Sequence, residues 1–256
     1  MDHYIQIGLL AERVNELEAL RIADENRIRS IEQSGDARTA MLDGLYSVND
    51  SIKGLEKSVI KDLENALKEI PGVGEWVAET PGLGAKTVGR LIGSIGNPAM
   101  NYAAGRPRRG PAELWAYMGL HVTEAGEAPR RKKGTQANWN TESKTRSFLV
   151  AEGCIKAVGG ERKGGAVMRR SPYRDVYDKA RAKNETAVHK HDCFRCGPKG
   201  KPALAGSELS DGHRHARATR ETMKAIVKDL FVICKREHEL AELRFYAIDD
   251  REALTA

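Results

Sequence analysis

Apolar residues recur every three or four positions along most of this chain, and the pattern is helical nearly throughout. Between residues 4 and 33 they fall at Leu10, Val14, Leu17, Ile28 and Ile31, a heptad-like seam interrupted by Arg21 and Asp24. Ser34-Gly35-Asp36 reads as a break. The spacing then resumes at Leu45, Val48, Ile52, Leu55 and Val59 and continues through Leu63, Leu67 and Ile70. Residues 1–70 are therefore expected to form two helices, folded back as a hairpin or run on as a coiled coil. Such an arm suits dimerisation or docking of a partner. The alternative is that its stripe packs on the chain's own body, although so acidic and aromatic-poor a segment has little with which to build a private core.

From about Gly72 the texture changes to short helices punctuated by glycine and proline. Pro111 to Leu120 predicts a short helix with Leu114, Trp115 and Met118 on its apolar side. Thr141 to Val158 predicts another, with Phe148, Leu149 and Ile155 inward. Ser171-Pro172 is a helix start, a capping residue followed by proline at the first position. Ser210-Asp211-Gly212 opens the clearest helix of the chain. Its Ala216, Thr219, Met223, Ile226, Leu230 and Ile233 form one stripe, while Arg217, Arg220, Lys224 and Lys228 fall on another face. No alternating strand pattern competes, so the expected fold is all-α: an N-terminal helical coiled-coil arm (1–70) followed by a helical domain (71–256).

Charge divides the chain at nearly the same place. The net charge is +6, yet residues 1–70 hold 9 Lys/Arg against 14 Asp/Glu, leaving 33 against 22 beyond. A basic half of this kind is the footprint expected for phosphates. Four cysteines in 256 residues are too few and too unevenly spaced for a disulfide scaffold. The start Met-Asp-His-Tyr lacks the basic and apolar run of a signal peptide, and no apolar stretch is long enough for a bilayer. The expectation is a cytoplasmic protein without a membrane segment.

The basic half begins with Thr80-Pro-Gly-Leu-Gly-Ala-Lys-Thr87 between two amphipathic stretches. It reads as the hairpin of a helix-hairpin-helix, in which two glycines turn backbone N–H groups outward beside the first turn of a helix, where the dipole favours a phosphate. An ordinary Pro-Gly turn between packed helices is the plainer reading. Gly82, Gly84, Lys86 and Thr87 are thus candidate backbone contacts. Arg106, Arg108 and Arg109 in a glycine-bounded loop join them, as do Arg130, Arg131, Lys132 and Lys133 in a polar loop. Lys144, Arg146, Arg217 and Arg220 on predicted helices complete the set. Duplex DNA is the expected ligand, because the aromatic residues are too few and scattered for base stacking on single strands or RNA.

Between the last two helices lies His189-Lys-His-Asp-Cys-Phe-Arg-Cys196-Gly, followed by His213. Cys-x2-Cys on a glycine turn lets two thiolates face one point, and a histidine from the next helix could help complete a tetrahedral zinc site. The expected ligands are His191, Cys193, Cys196 and His213, with His189 as the substitute for His191. Four protein ligands leave no open position for water, so such a knuckle (189–215) would be structural.

The order of these elements resembles the C-terminal domain of the insertion-sequence 110/116 transposases, which are serine-dependent DNA recombinases. The matching stretches are Pro81-Gly-Leu-Gly84 through Leu91-Ile-Gly-Ser-Ile-Gly-Asn-Pro98, Leu114-Trp-Ala-Tyr-Met-Gly-Leu120, Lys144-Thr-Arg-Ser-Phe-Leu149, Ser171-Pro-Tyr-Arg-Asp-Val-Tyr177, and Gly212-His-Arg-His-Ala-Arg-Ala-Thr-Arg220. The likeness covers roughly residues 40–240 and rests on their order. Two departures bear on chemistry. The family's RuvC-like nuclease portion has no counterpart, and its nucleophilic serine is replaced by Ala125 in a shortened Gly119–Gly126 segment. Alanine cannot form a phosphoserine link, and nothing in the sequence supplies Thr123, Ser143 or Ser147 with an activating base. The resemblance therefore implies a DNA-binding protein without catalysis, such as an accessory or directionality factor for a site-specific recombinase encoded by a mobile element or phage. A recombinase or a second copy would meet the N-terminal arm. An active transposase domain working with a RuvC-like partner, and a structural protein that never meets nucleic acid, stay open as alternatives.

Overall fold

The computed structural model describes residues 2–34, 42–124, 126–131, 133–161, 165, 167–194, 196–198 and 200–253, with side chains up to 241. The fold is mostly helical, as the periodicity predicts. Helices α1 (His3–Ser34) and α2 (Leu42–Lys68) fold back as an antiparallel hairpin rather than running on. Cross-links set their register: Asn49 Nδ2 donates to the Arg21 carbonyl at 3.2 Å, Arg21 Nε to Glu56 at 2.8 Å, and the Tyr46 hydroxyl to Glu32.

This hairpin packs on the body of the chain. Val14 and Ile28 of the predicted seam are buried and Leu10 packs partly buried on the core, while Ile7 and Ala11 extend the inward face beyond the seam. Glycines on α4 (Ala85–Ile95) explain the extension, because they let neighbouring helices come close. A Cβ at Gly93 would sit 2.7 Å from Ala11 Cβ, and one at Gly89 would sit 2.6 Å from Leu63. One apolar cluster consequently joins Ile7 and Val14 to Leu63, Leu91, Leu114, Val150, Ile226 and Leu230, and the core does not divide at residue 70.

Helices α3 (Val73–Glu79) and α4 are the two arms of the predicted hairpin motif. Leu83 N–H donates to the Thr80 carbonyl at 3.1 Å across Pro81-Gly82, with Gly82 at φ 91°. Proline at the first central position and a left-handed glycine at the second are what a type II turn requires. Then come β1 (Met100–Asn101) and β2 (Arg106–Pro107), α5 (Pro111–Tyr117), α6 (Thr141–Lys156), β3 (Val158–Glu161) and β4 (Val167–Arg170), α7 (Pro172–Lys183) and α8 (Asp211–Ala253). Both strand pairs are antiparallel, with Met100 opposite Pro107 and Val158 opposite Arg170. Strands of two to four residues, one of them Val-Gly-Gly-Glu, are too short and glycine-rich to show a period of two.

The inward face of α6 keeps the expected Ile155 but otherwise differs from expectation. Ser143, Ser147, Val150, Ala151 and Cys154 are buried, while Phe148 and Leu149 are exposed. Small residues on this face admit α4, and the Ser143 hydroxyl donates to the Ser94 carbonyl at 3.0 Å. Helix α8 closes the core with Met223, Ile226, Val227, Leu230 and Cys234.

Candidate nucleic-acid interface and metal centre

At the Gly82–Gly84 hairpin, the motif's own cation is already matched. Lys86 Nζ lies 2.7 Å from Glu18 and 2.7 Å from Glu56, and Arg90 reaches Glu18 at 2.7 Å. Burial raises the Glu18 and Glu56 carboxyls, but hydrogen bonds and charge from Lys86, Arg90 and Arg21 outweigh it and hold both below the usual carboxylate value. Thr87 Oγ1 donates to the Gly84 carbonyl at 3.0 Å. Gly82 is exposed on one side, yet its other side lies against α6, where a Cβ would stand 2.5 Å from Cys154 Cα and 2.6 Å from the Gly153 carbonyl. The glycine that allows this approach, Gly153, carries no local signal in the sequence. Here the hairpin is a joint between α4, α6 and the acidic α1–α2 pair.

Several other predicted contacts are likewise engaged within the protein. Arg106 forks onto Glu113 at 3.1 and 3.3 Å. Arg108 is buried at 4% exposure over the Tyr117 ring, and burial pushes its guanidinium down. Arg146 turns to α1, donating to Asn15 at 3.0 Å and pairing with Glu142 at 3.2 Å. Arg109, Arg131 and Lys133 are exposed on their loops, whereas Lys132 and Ala125 lie outside the described residues.

The remaining four predicted cations converge. Arg217 and Arg220 on α8, Lys144 on α6 and Arg130 from the preceding loop line one cavity of about 760 Å³. A second, of about 810 Å³, shares Arg130, Arg217 and Arg220 with it and continues past Lys224 and Lys228 to Lys183 and Lys190. The result is a continuous groove along the N-terminal half of α8. In the larger cavity seven Lys/Arg face three acids, Glu127, Asp192 and Glu221, so the wall is positive.

What distinguishes these cations is how they are held. Lys224 Nζ sits 4.2 Å above the Trp115 ring. Lys144 Nζ donates to the Gly119 carbonyl at 3.0 Å and lies over Trp139. Arg220 donates to the Leu120 carbonyl at 2.8 Å and to that of His121, and Arg217 to Asn184 Oδ1 at 3.3 Å. Among the described residues none of the four has a carboxylate at ion-pair distance. Burial pushes Arg220 down, and burial with the neighbouring Arg220 charge pushes Lys144 and Lys224 down. Partly desolvated like charges held by rings and carbonyls are costly unless an anion completes them.

Beside this groove, His189, Cys193, Cys196 and His213 bring their ligand atoms within 4.8 Å of one another. The fourth residue is His189 rather than His191. Its backbone N–H donates to Ser207 at 2.8 Å and its carbonyl accepts from Gly206 at 2.8 Å, which pins it inside, whereas His191 is exposed on the groove wall. Cys193 pairs with Ala203 in both directions, at 2.8 and 3.0 Å, and Cys196 Sγ lies 3.2 Å from His213 Nδ1. Gly197 permits the tight return, since a Cβ there would collide with the Lys201 carbonyl. His189 is 4% exposed and its Nε2 has no hydrogen-bond partner. An orphaned imidazole nitrogen within a His2Cys2 set fits a tetrahedral metal ion of the zinc type.

Each of the three candidate substitute hydroxyls is engaged in a local hydrogen bond. Ser143 and Ser147 are fully buried, donating to the Ser94 and Lys144 carbonyls at 3.0 and 2.8 Å. Thr123 Oγ1 accepts from the Glu127 N–H at 3.3 Å. No helix among the described residues is long and apolar enough to cross a membrane. No protein-family model and no curated protein matches the chain.

Proposed function

We propose that this protein binds the backbone of duplex DNA through the α8 groove, and that it does so without cleaving or joining strands. One observation carries the reading: Lys144, Arg220 and Lys224 are partly desolvated, Arg217 lines the same groove, and among the described residues none of the four has a paired carboxylate, an arrangement that an array of phosphates completes. The helix-hairpin-helix serves this reading as scaffold, since it sets α4 against α6. Zinc at His189, Cys193, Cys196 and His213 supplies a structural cross-link and no hydrolytic water.

An accessory role in site-specific recombination, in a chain related to the insertion-sequence 110/116 transposases, follows from the order of motifs and from Ala125. On that view the outer side of the α1–α2 hairpin, where Ile5, Leu9, Val48 and Leu55 are exposed, is the face offered to a recombinase. Fluorescence anisotropy on random-sequence duplex tests the binding. With four to six phosphate contacts, log K is expected to fall against log salt with a slope of about −4 to −5. A flat or absent response removes DNA from the account. A covalent protein–DNA adduct on supercoiled DNA with magnesium would show catalysis and overturn the non-enzymatic half.

A further inference from the structure

We infer that the metal centre builds one wall of the anion groove, so that metal loading controls affinity for nucleic acid while leaving the helical core standing. The inference rests on the groove being the nucleic-acid site. The segment 185–210 between α7 and α8 contributes Lys190, His191 and Asp192 to the larger cavity, and His213 on the first turn of α8 lines both cavities. Cys193 and Cys196 belong to the segment and His213 to the helix. A metal shared among them therefore ties the wall to the helix that carries Arg217 and Arg220.

Apolar burial contributes little to that wall. Phe194 and Leu204 are 76% and 66% exposed, Val188 is exposed as well, and among the segment's described residues the buried side chains are His189, Cys193 and Leu209. Its backbone is held by two isolated bridges, Val188 with Glu208 and Cys193 with Ala203, and by loop hydrogen bonds that include His189 N–H to Ser207, Gly206 N–H to His189 and Leu209 N–H to Ala187, with no helix or extended sheet among its described residues. So small a cluster lacks the apolar area to offset its own chain entropy, and a metal supplies that deficit in domains of this kind. Among the described residues the main apolar cluster includes none between Tyr173 and Met223, so opening the segment does not dismantle the core. Loss of metal is thus a local event.

The test compares the full chain loaded with one equivalent of Zn²⁺ and the same protein after chelation under reducing conditions. Three readings are taken: trypsin cleavage at Lys190 and Lys201 by mass spectrometry, far-ultraviolet circular dichroism, and affinity for random duplex. Chelation is expected to speed cleavage in the segment about tenfold with little change in helical signal, and to weaken DNA about tenfold at roughly 0.1 M salt, the worth of one phosphate contact. Cys196→Ser, at a partly exposed ligand, should behave as chelated protein whether or not zinc is added. Equal DNA affinity with and without metal, or failure to take up zinc at all, overturns the inference. If zinc protects the segment but neither form binds DNA, the nucleic-acid reading falls, and with it the coupling.

Discussion

Replacing Lys224 with methionine separates a cation kept for a ligand from one kept for the fold. In the free protein the substitution removes a cation–π contact at 4.2 Å from Trp115, worth about 0.5–2 kcal/mol. The thioether restores roughly 0.3–1.5 kcal/mol against the same ring. These nearly cancel, which leaves relief of burial and of repulsion from Arg220, set against lost attraction to Glu221, as the residual term. Stability without DNA should therefore stay within about 1 kcal/mol of the parent, roughly 2–4 °C in Tm for a chain of this size. Binding should weaken. One phosphate contact contributes about 0.9 to the salt slope, so its loss at about 0.1 M salt costs roughly 1.2 kcal/mol, or eightfold in Kd. Arg217→Gln, Arg220→Gln and Lys224→Met combined should approach a loss of about 500-fold if the three act independently. Thermal melts and anisotropy titrations across about 50–200 mM salt read both quantities on one preparation. An unchanged slope takes Lys224 off the phosphate track, and a Tm lower by more than about 5 °C makes it a structural residue, refuting the reasoning.

Two further outcomes bear on the hairpin. Gly82→Ala meets both a left-handed backbone (φ 91°) and a Cβ 2.5 Å from Cys154 Cα, so destabilisation by about 2–5 kcal/mol is expected with the affinity of the folded fraction unchanged; a variant as stable as the parent but weak on DNA would return the bend to the interface. Glu18 and Glu56 are held below their ordinary value of 4.5, so the stability they contribute is complete above that pH and is lost as pH falls through their lower folded-state values. Denaturant midpoints should therefore drop between about pH 5 and pH 3, and drop less in Lys86→Met; an identical acid limb in both proteins would remove the Lys86 pairs from the joint.

The local pattern of apolar residues was enough to determine the helical class, the Pro-Gly turn at Thr80–Leu83, the helix starts at Pro172 and Asp211, and the uneven charge, because each depends on neighbours within one or two turns of chain. It also marked Arg217, Arg220, Lys224 and Lys228 as one face of α8. The sequence alone could not tell which basic residues keep their charge unmatched. Lys86 is neutralised by Glu18, 68 residues away, while Lys224 meets no carboxylate at ion-pair distance among the described residues. Nor could it choose between His189 and His191, since that depends on which backbone Ser207 and Gly206 return to pair with. Gly153 opposite Gly82 is of the same kind. Helix propensity and turn chemistry act over a few residues, but burial and charge compensation are properties of whatever the folded chain brings alongside, and for this protein those decide where an anion can bind.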